Sequence, residues 1–285
     1  MSRVVAAAVE AAQAAARAAR VQVRPVSSLA ELAALDRLLA GIWQAEGSSP
    51  VMTTELLRAL AKSGSYVAGA FDGSTLVGAA VAFFSAPAHR ELHSHIAGVG
   101  PAAAGRSVGF ALKQHQRVWA LQRGITAICW TFDPLVGRNA YFNLAKLGAV
   151  PTEYLTNFYG VMHDRINGDD ESDRLFVRWD LHAPAVVAAG AGRPLRPVSP
   201  PTATIALRRS DTGGPLTGSV YGPVVLVAVP EDIETLRRAA PAVAKEWRSA
   251  VRDTLTTLLA DGARFAGFDR DGWYVLTRDT EEQRR

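Results

Sequence analysis

The stretch that most constrains this chain runs from Leu92 to Gly124. Leu92 to Val99 reads as a strand, Gly100-Pro101-Ala102-Ala103-Ala104-Gly105 is a run of small residues, and Gly105 to Arg123 reads as a helix. Gly124 is a typical helix stop. A strand that feeds through a small-residue loop into a long helix leaves free N–H groups and positive dipole charge at the helix start. Small residues there let a phosphate approach the backbone. The same segment also suits a tight turn with no ligand, and its local pattern leaves both readings open.

The neighbouring pattern fixes the fold class. Val21 to Pro25 alternates as a strand, and Ser27 and Ser28 can cap a helix carrying Leu29, Leu32, Leu35, Leu38 and Leu39, with Trp43 near its end. Thr53-Thr54-Glu55 opens a second helix that stops at Gly64. Tyr66 to Phe71 and Thr75 to Phe84 flank Asp72-Gly73, the signature of a hairpin. After the long helix come a strand at Ile125 to Phe132, a helix at Asn139 to Leu147 and strands near Glu153 to Tyr159 and Leu175 to Leu181. The order predicts an α/β fold with a mixed central sheet flanked by helices over residues 21–181.

Residues 1–20 read as an Ala-rich helical extension without the apolar core of a secretory signal. From 182 to 217 the composition turns to Ala, Pro, Gly, Arg and Thr, which reads as a linker with at most one weak strand. Residues 218–285 form a small α+β extension: a strand at Val224 to Val229, a helix from Glu231 to Leu259 broken at Pro241, and a last hairpin about Asp269 to Gly272.

Composition narrows the function classes. Hydrophobic residues make up 48% and charged residues 20%, enough for a sizeable core. The net charge of +4 is spread rather than clustered, which argues against a nucleic-acid surface and suits a polyanionic ligand. Cys129 stands alone in an apolar run, so no internal disulfide forms and a reducing cytoplasm is the expected setting. No apolar run is long enough for a membrane span. There is no HExxH or CxxC spacing for a metal and no Gly-x-Ser-x-Gly elbow for a serine hydrolase.

From Val21 to Leu181 the chain resembles the GNAT family of acyltransferases. Val99, Pro101, Gly105, Gly109, Ala111 and Leu112 match that family's coenzyme A segment without a gap, and the later helix ending in Lys146-Leu147-Gly148 keeps its order. Trp130-Thr131-Phe132-Asp133-Pro134-Leu135 followed by Arg138-Asn139-Ala140-Tyr141-Phe142 is similar to an uncharacterised bacterial branch. Ala104 replaces the usual Arg or Gln, and Ser107 the usual Gly.

The resemblance implies N-acyl transfer from acetyl-CoA or another acyl-CoA, succinyl among them, to a primary amine of a small metabolite or amino acid. It implies no metal and leaves room for a homodimer. It assigns Ala97, Gly98 and Val99 to the pantetheine arm, in a gap where two strands splay. The phosphates go to Ala104, Gly105, Arg106, Ser107, Val108 and Gly109, with Asn139 either contacting the cofactor or capping its helix. Altered together, Ala104, Ser107 and Leu144, which stands where the family often has a tyrosine acid, also fit a non-catalytic coenzyme A-binding or regulatory protein of the same fold.

Direct transfer needs a proton acceptor for the amine and a donor for the departing thiolate. His93 and His95, alternating on the strand before the cradle, are candidate bases, or ordinary polar positions of a partly exposed strand. Tyr141, one turn before Leu144, is a candidate acid or a packing residue. Trp43 is a candidate acceptor-pocket wall. Asp133 could cap a helix or bind a substrate ammonium, and Arg138 could meet an acyl carboxylate.

Overall fold

The computed structural model describes residues 3–43, 51–160, 162 and 170–278. The chain divides into two compact units, Met1–Trp130 with Trp179–Gly192, and Thr131–Arg178 with Arg193–Arg285.

In the first unit the strands β1 (Gln22–Pro25), β2 (Tyr66–Asp72), β3 (Thr75–Phe84), β4 (Glu91–Val99) and β5 (Ala127–Phe132) lie side by side in that order. The first pairings are antiparallel and β4 with β5 is parallel. The tight return between β2 and β3 uses Gly73 at φ 58°, where glycine carries no side-chain clash.

One face of this sheet is covered by α2 (Leu29–Trp43) and α3 (Thr54–Lys62). Ser28 and Glu31 start α2 as a capping box: the Glu31 N–H donates to Ser28 Oγ at 3.3 Å, and Ser28 Oγ donates to the Glu31 carboxylate at 2.8 Å. Thr53 caps α3 by accepting from Leu56 N–H at 3.2 Å. Leu32, Leu35 and Leu39 sit at helical spacing and are fully buried with Val67, Phe71, Ala79, Val81 and Ile96. Each such leucine contributes about 1.5–3 kcal/mol relative to exposure.

The other face carries α4 (Val108–Leu121). Val108 and Leu112 approach Gly78 of β3 so closely that a Cβ there would lie 3.1 and 3.2 Å from them. The N-terminal helix α1 (Arg3–Ala19) packs on α4 through a stripe of small residues, Ala8, Ala15 and Ala19. His115 and Trp119 of α4 form a packed face with Tyr66, whose hydroxyl is 2.9 Å from His115 Nδ1.

The second unit holds β6 (Val150–Leu155), paired antiparallel with β7 (Arg174–Asp180), and α5 (Gly137–Ala140), which runs on into a π-turn over Tyr141–Lys146. It also holds a five-stranded sheet.

The stretch expected to be a linker is structured. It contains α6 (Pro184–Gly190), which belongs to the first unit, and β8 (Thr204–Arg209) and β9 (Pro215–Thr217), which belong to the second. Beyond it come β10 (Val224–Ala228), α7 (Ile233–Ala239), α8 (Pro241–Ala260), β11 (Arg264–Phe268) and β12 (Trp273–Thr277), and the sheet order is β11-β12-β10-β8-β9. One weak strand was expected in this stretch; the structure has two and a helix, and β8 is held by pairing with β10, distant in sequence.

The break at Pro241 is present, with Pro241 opening α8 as a first-turn proline can. Among the described residues no helix is long and apolar enough to cross a membrane.

Candidate active site

The site is built on β4. Its register with β3 slips between Val81 and Ala82, which pair with Ile96 and Ser94, so His95 is an extra, unpaired residue. A bulge of this kind bends the strand and re-aims side chains. On its other edge β4 pairs with β5 only from Glu91↔Ala127 to His93↔Cys129. Beyond that rung the strands part, and the edge of β4 from Ser94 to Val99 is left without a β5 partner.

Near the end of this free edge lie Ala97, Gly98 and Val99. A Cβ on Gly98 would come within 2.8 Å of Trp43 and Ile42, so the glycine allows the end of α2 to lie directly on β4. Trp43 therefore borders the segment assigned to the pantetheine arm.

The loop after β4 makes a 3₁₀ turn at Pro101–Ala103 and enters α4 through Gly105 at φ 76° and Ser107 at φ 61°, ψ 22°. Both sit in the left-handed region. Ser107 is thus a side-chain-bearing residue where glycine is favoured. The N–H groups of Gly105, Ser107, Val108 and Gly109 donate to no acceptor among the described residues, and Ala104, Gly105 and Ser107 are exposed. Converging free donors at a helix start suit a pyrophosphate.

The first unit is a mixed sheet flanked by helices on both faces. The parted parallel strands, the bulge and the small-residue loop occur together in the first unit.

No protein-family model matches the chain, and no curated protein matches it. Solved structures do. An N-acetyltransferase from Staphylococcus aureus shares 17% identity at a TM-score of 0.47, over 56% of this chain and 98% of its own. A Salmonella typhimurium protein described as an acetyltransferase, with acetyl-CoA bound, shares 18% at 0.46, over 59% and 98%. The ribosomal-protein-S18-alanine N-acetyltransferase of Escherichia coli shares 13% at 0.45, over 57% and 95%.

His93 and His95 lie with their rings 6.4 Å apart, and Phe83 stacks on His93 at 5.1 Å and leans on His95 at 5.8 Å. Strand alternation puts both imidazoles on the side of Phe83, and the bulge places His95 opposite no residue of β3. Burial lowers the pKa of both histidines, and for His93 the charges of His95 and Lys113 lower it further. The shift biases these imidazoles toward the neutral form. Phe83 was not legible as a site residue, because its exposure at the end of an apolar run shows only once β4 is paired beside it.

Several expectations are corrected. The Arg106 guanidinium is engaged within the first unit. It donates to Asp72 at 2.7 Å and to the carbonyls of Ala19 and Arg20 at 3.1 and 3.2 Å, which ties the end of α1 to the cradle loop.

Asp133 is not a free carboxylate for an ammonium. It accepts from Arg237 at 2.6 Å, from Arg248 at 2.9 and 3.0 Å, and from Leu135 N–H at 2.9 Å, and it is 7% exposed. Burial would raise its pKa, but the charges of Arg248, Arg237 and Arg174 outweigh this and hold it far below the usual range. Asp170 shares the same arginines.

Arg138, exposed, pairs with Glu234. Asn139 does not cap a helix. Val136 holds that position, and Asn139 stands exposed within α5. The Tyr141 hydroxyl accepts from Arg270 Nε at 3.0 Å, and Leu144 is buried. These four belong to the second unit, whereas the histidines, the β4 edge and the cradle belong to the first.

Proposed function

We propose that the protein is an N-acyltransferase that moves an acyl group from acyl-coenzyme A to a primary amine. The observation that carries the reading is the parting of β4 and β5 just before the free N–H groups of Gly105, Ser107, Val108 and Gly109.

The residues present fit the group. The unpaired edge of β4 at Ala97 to Val99 offers backbone partners to an extended amide-bearing arm, and the cradle offers donors to a pyrophosphate. Bound acyl-coenzyme A supplies the activated thioester carbonyl. His93 or His95 takes the proton of the attacking amine, directly or through water, and the lowered pKa of each favours the accepting form. Backbone N–H groups of the β4 edge stabilise the charge that develops on the carbonyl oxygen.

The acceptor we propose is a small metabolite or amino acid. Phe83 stacks beside the histidines and Trp43 borders the arm segment, and these apolar walls suit a small amine. Acetyl is the default acyl group.

One observation favours a second reading, a coenzyme A-binding regulator: a buried Leu144 stands where the family often has its tyrosine acid. Release of thiol from acetyl-CoA and succinyl-CoA in the presence of a panel of amines separates the two. Amine-dependent release is expected, and binding of coenzyme A without release from any pair would favour the regulator.

A further inference from the structure

Ser94 points to the face of β4 opposite His93, the face that lies under α4. There the Lys113 ammonium donates to Ser94 Oγ at 2.9 Å and to Gln116 Oε1 at 3.4 Å, and it sits 3.7 Å from the centre of the Trp130 ring. Lys113 is 5% exposed and Gln116 is fully buried.

These bonds decide what the cluster still offers. Ser94 and Gln116 both accept from Lys113 through oxygen, which leaves the Ser94 O–H and the Gln116 amide nitrogen to act as donors. Gln116 Nε2 has no hydrogen-bond partner. Among the described residues no carboxylate lies within ion-pair distance of Lys113. The cluster is therefore one buried positive charge with donors left over. Two hydrogen bonds and the face of an indole replace part of the water the ammonium has lost, but they supply no counter-charge.

Position shows what could supply it. Ser94 is the first residue of β4 beyond the last rung shared with β5. From Val99 back to Ser94 the free edge runs about 16 Å at the rise of a strand. Because β4 and β5 are parallel, α4 leaves the cradle and carries Lys113 back along that edge. An arm seated on Ala97 to Val99, with its phosphates at the cradle, aims its acyl end at Ser94.

We propose that the acyl chain this protein accepts ends in a carboxylate, received by Lys113, Ser94 and Gln116 where β4 and β5 part. The inference rests on reading that parting as the seat of acyl-coenzyme A, and it narrows the acyl group from the acetyl default. The carboxylate pairs with the Lys113 ammonium and accepts from Ser94 O–H and Gln116 Nε2, the further bonds that a buried ion pair needs to offset its desolvation. It makes and breaks no bond itself, since transfer takes place at the thioester carbonyl on the other end of the chain. An uncharged chain of equal length would leave the ammonium uncompensated, and that difference is the source of selectivity. Burial pushes the Lys113 ammonium down to about 7, and a carboxylate beside it would restore the charge.

The test is calorimetric titration, without amine, of succinyl-CoA, butyryl-CoA and unacylated coenzyme A into the full chain and into Lys113→Met. The parent should bind succinyl-CoA at least about tenfold more tightly than butyryl-CoA, its uncharged counterpart of equal chain length, and Lys113→Met should lose or reverse that preference. Equal binding of the two thioesters by the parent, or a preference that survives in Lys113→Met, overturns the proposal. If Lys113→Met does not fold, the comparison in the parent still decides. Free succinate added with coenzyme A should bind far more weakly than the acyl form. Succinate that binds as tightly would make the cluster a free-anion site and overturn its assignment to the acyl chain. A parent that binds neither thioester nor coenzyme A would instead overturn the reading of the cradle and the parting on which the proposal rests.

Discussion

Replacing Asp133 by Asn tests whether that carboxylate is a structural anchor or a ligand for substrate. Asn keeps the shape but presents an NH₂ group to guanidinium groups that are themselves donors only. Arg248, 2% exposed, would keep Asp170 as its acidic partner while losing bonds of 2.9 and 3.0 Å, and Arg237 would lose one of 2.6 Å. Removing one member of a buried ion pair typically costs about 3–5 kcal/mol. In a chain whose whole stability is on the order of 5–15 kcal/mol, that is a large share. At roughly 2–4 °C per kcal/mol, the melting temperature should fall by about 6–20 °C.

Urea unfolding at pH 7 with a parallel thermal scan would measure the loss. The pH dependence follows from the depressed carboxyl: its contribution is present above the unfolded pKa of about 3.9 and is lost as pH falls through the lower folded value. The gap between parent and variant should therefore narrow in acid. A loss below about 1 kcal/mol, the range of an exposed pair, would refute the anchor and return Asp133 to the substrate.

Ser107→Gly should relieve a left-handed serine that costs roughly 1–2 kcal/mol, partly offset by about 0.4–1 kcal/mol of added freedom in the unfolded chain. Coenzyme A affinity measured by calorimetry should hold or improve. A loss of about 0.5–1.5 kcal/mol would instead mean that the hydroxyl holds a phosphate. In activity assays kcat/KM should rise with pH through a midpoint below the ordinary histidine value, because burial lowers both imidazoles and only the neutral form accepts a proton. Substitution of the responsible histidine by Gln should cut the rate by about 10²–10⁴. A midpoint that moves with the pKa of the acceptor amine, or full activity in both variants, would show that neither histidine is the base.

Much of the first unit was legible because its signals are local. The Ser28–Glu31 box, the Asp72-Gly73 turn and the small-residue loop before α4 each announce themselves within a few residues. The bulge at His95 was not, since strand alternation alone puts His93 and His95 on one face without revealing the extra residue that bends β4.

The site residues of the second unit were misjudged for a different reason. Asp133 meets Asp170, Arg237 and Arg248 only through long-range packing, so a sequence window around Phe132 to Leu135 shows an unengaged acid. The partners of the Arg106 guanidinium, Asp72, Ala19 and Arg20, likewise come from distant segments, the end of α1 and the β2–β3 turn. Lys113 and Gln116 were hidden in a polar-looking helix that is covered on one side by the sheet and on another by α1.

The most direct test of the central claim is calorimetric titration of coenzyme A into the parent chain and into Gly109→Asp. Gly109 lies in the first turn of α4, where an added carboxylate favours the helix dipole, so the variant should fold. The same carboxylate would face the pyrophosphate at the free N–H groups. The account predicts binding at roughly micromolar affinity by the parent and no detectable heat with the variant. Undiminished binding by Gly109→Asp would contradict the cradle and, with it, the reading of this protein as an acyl-coenzyme A-dependent transferase.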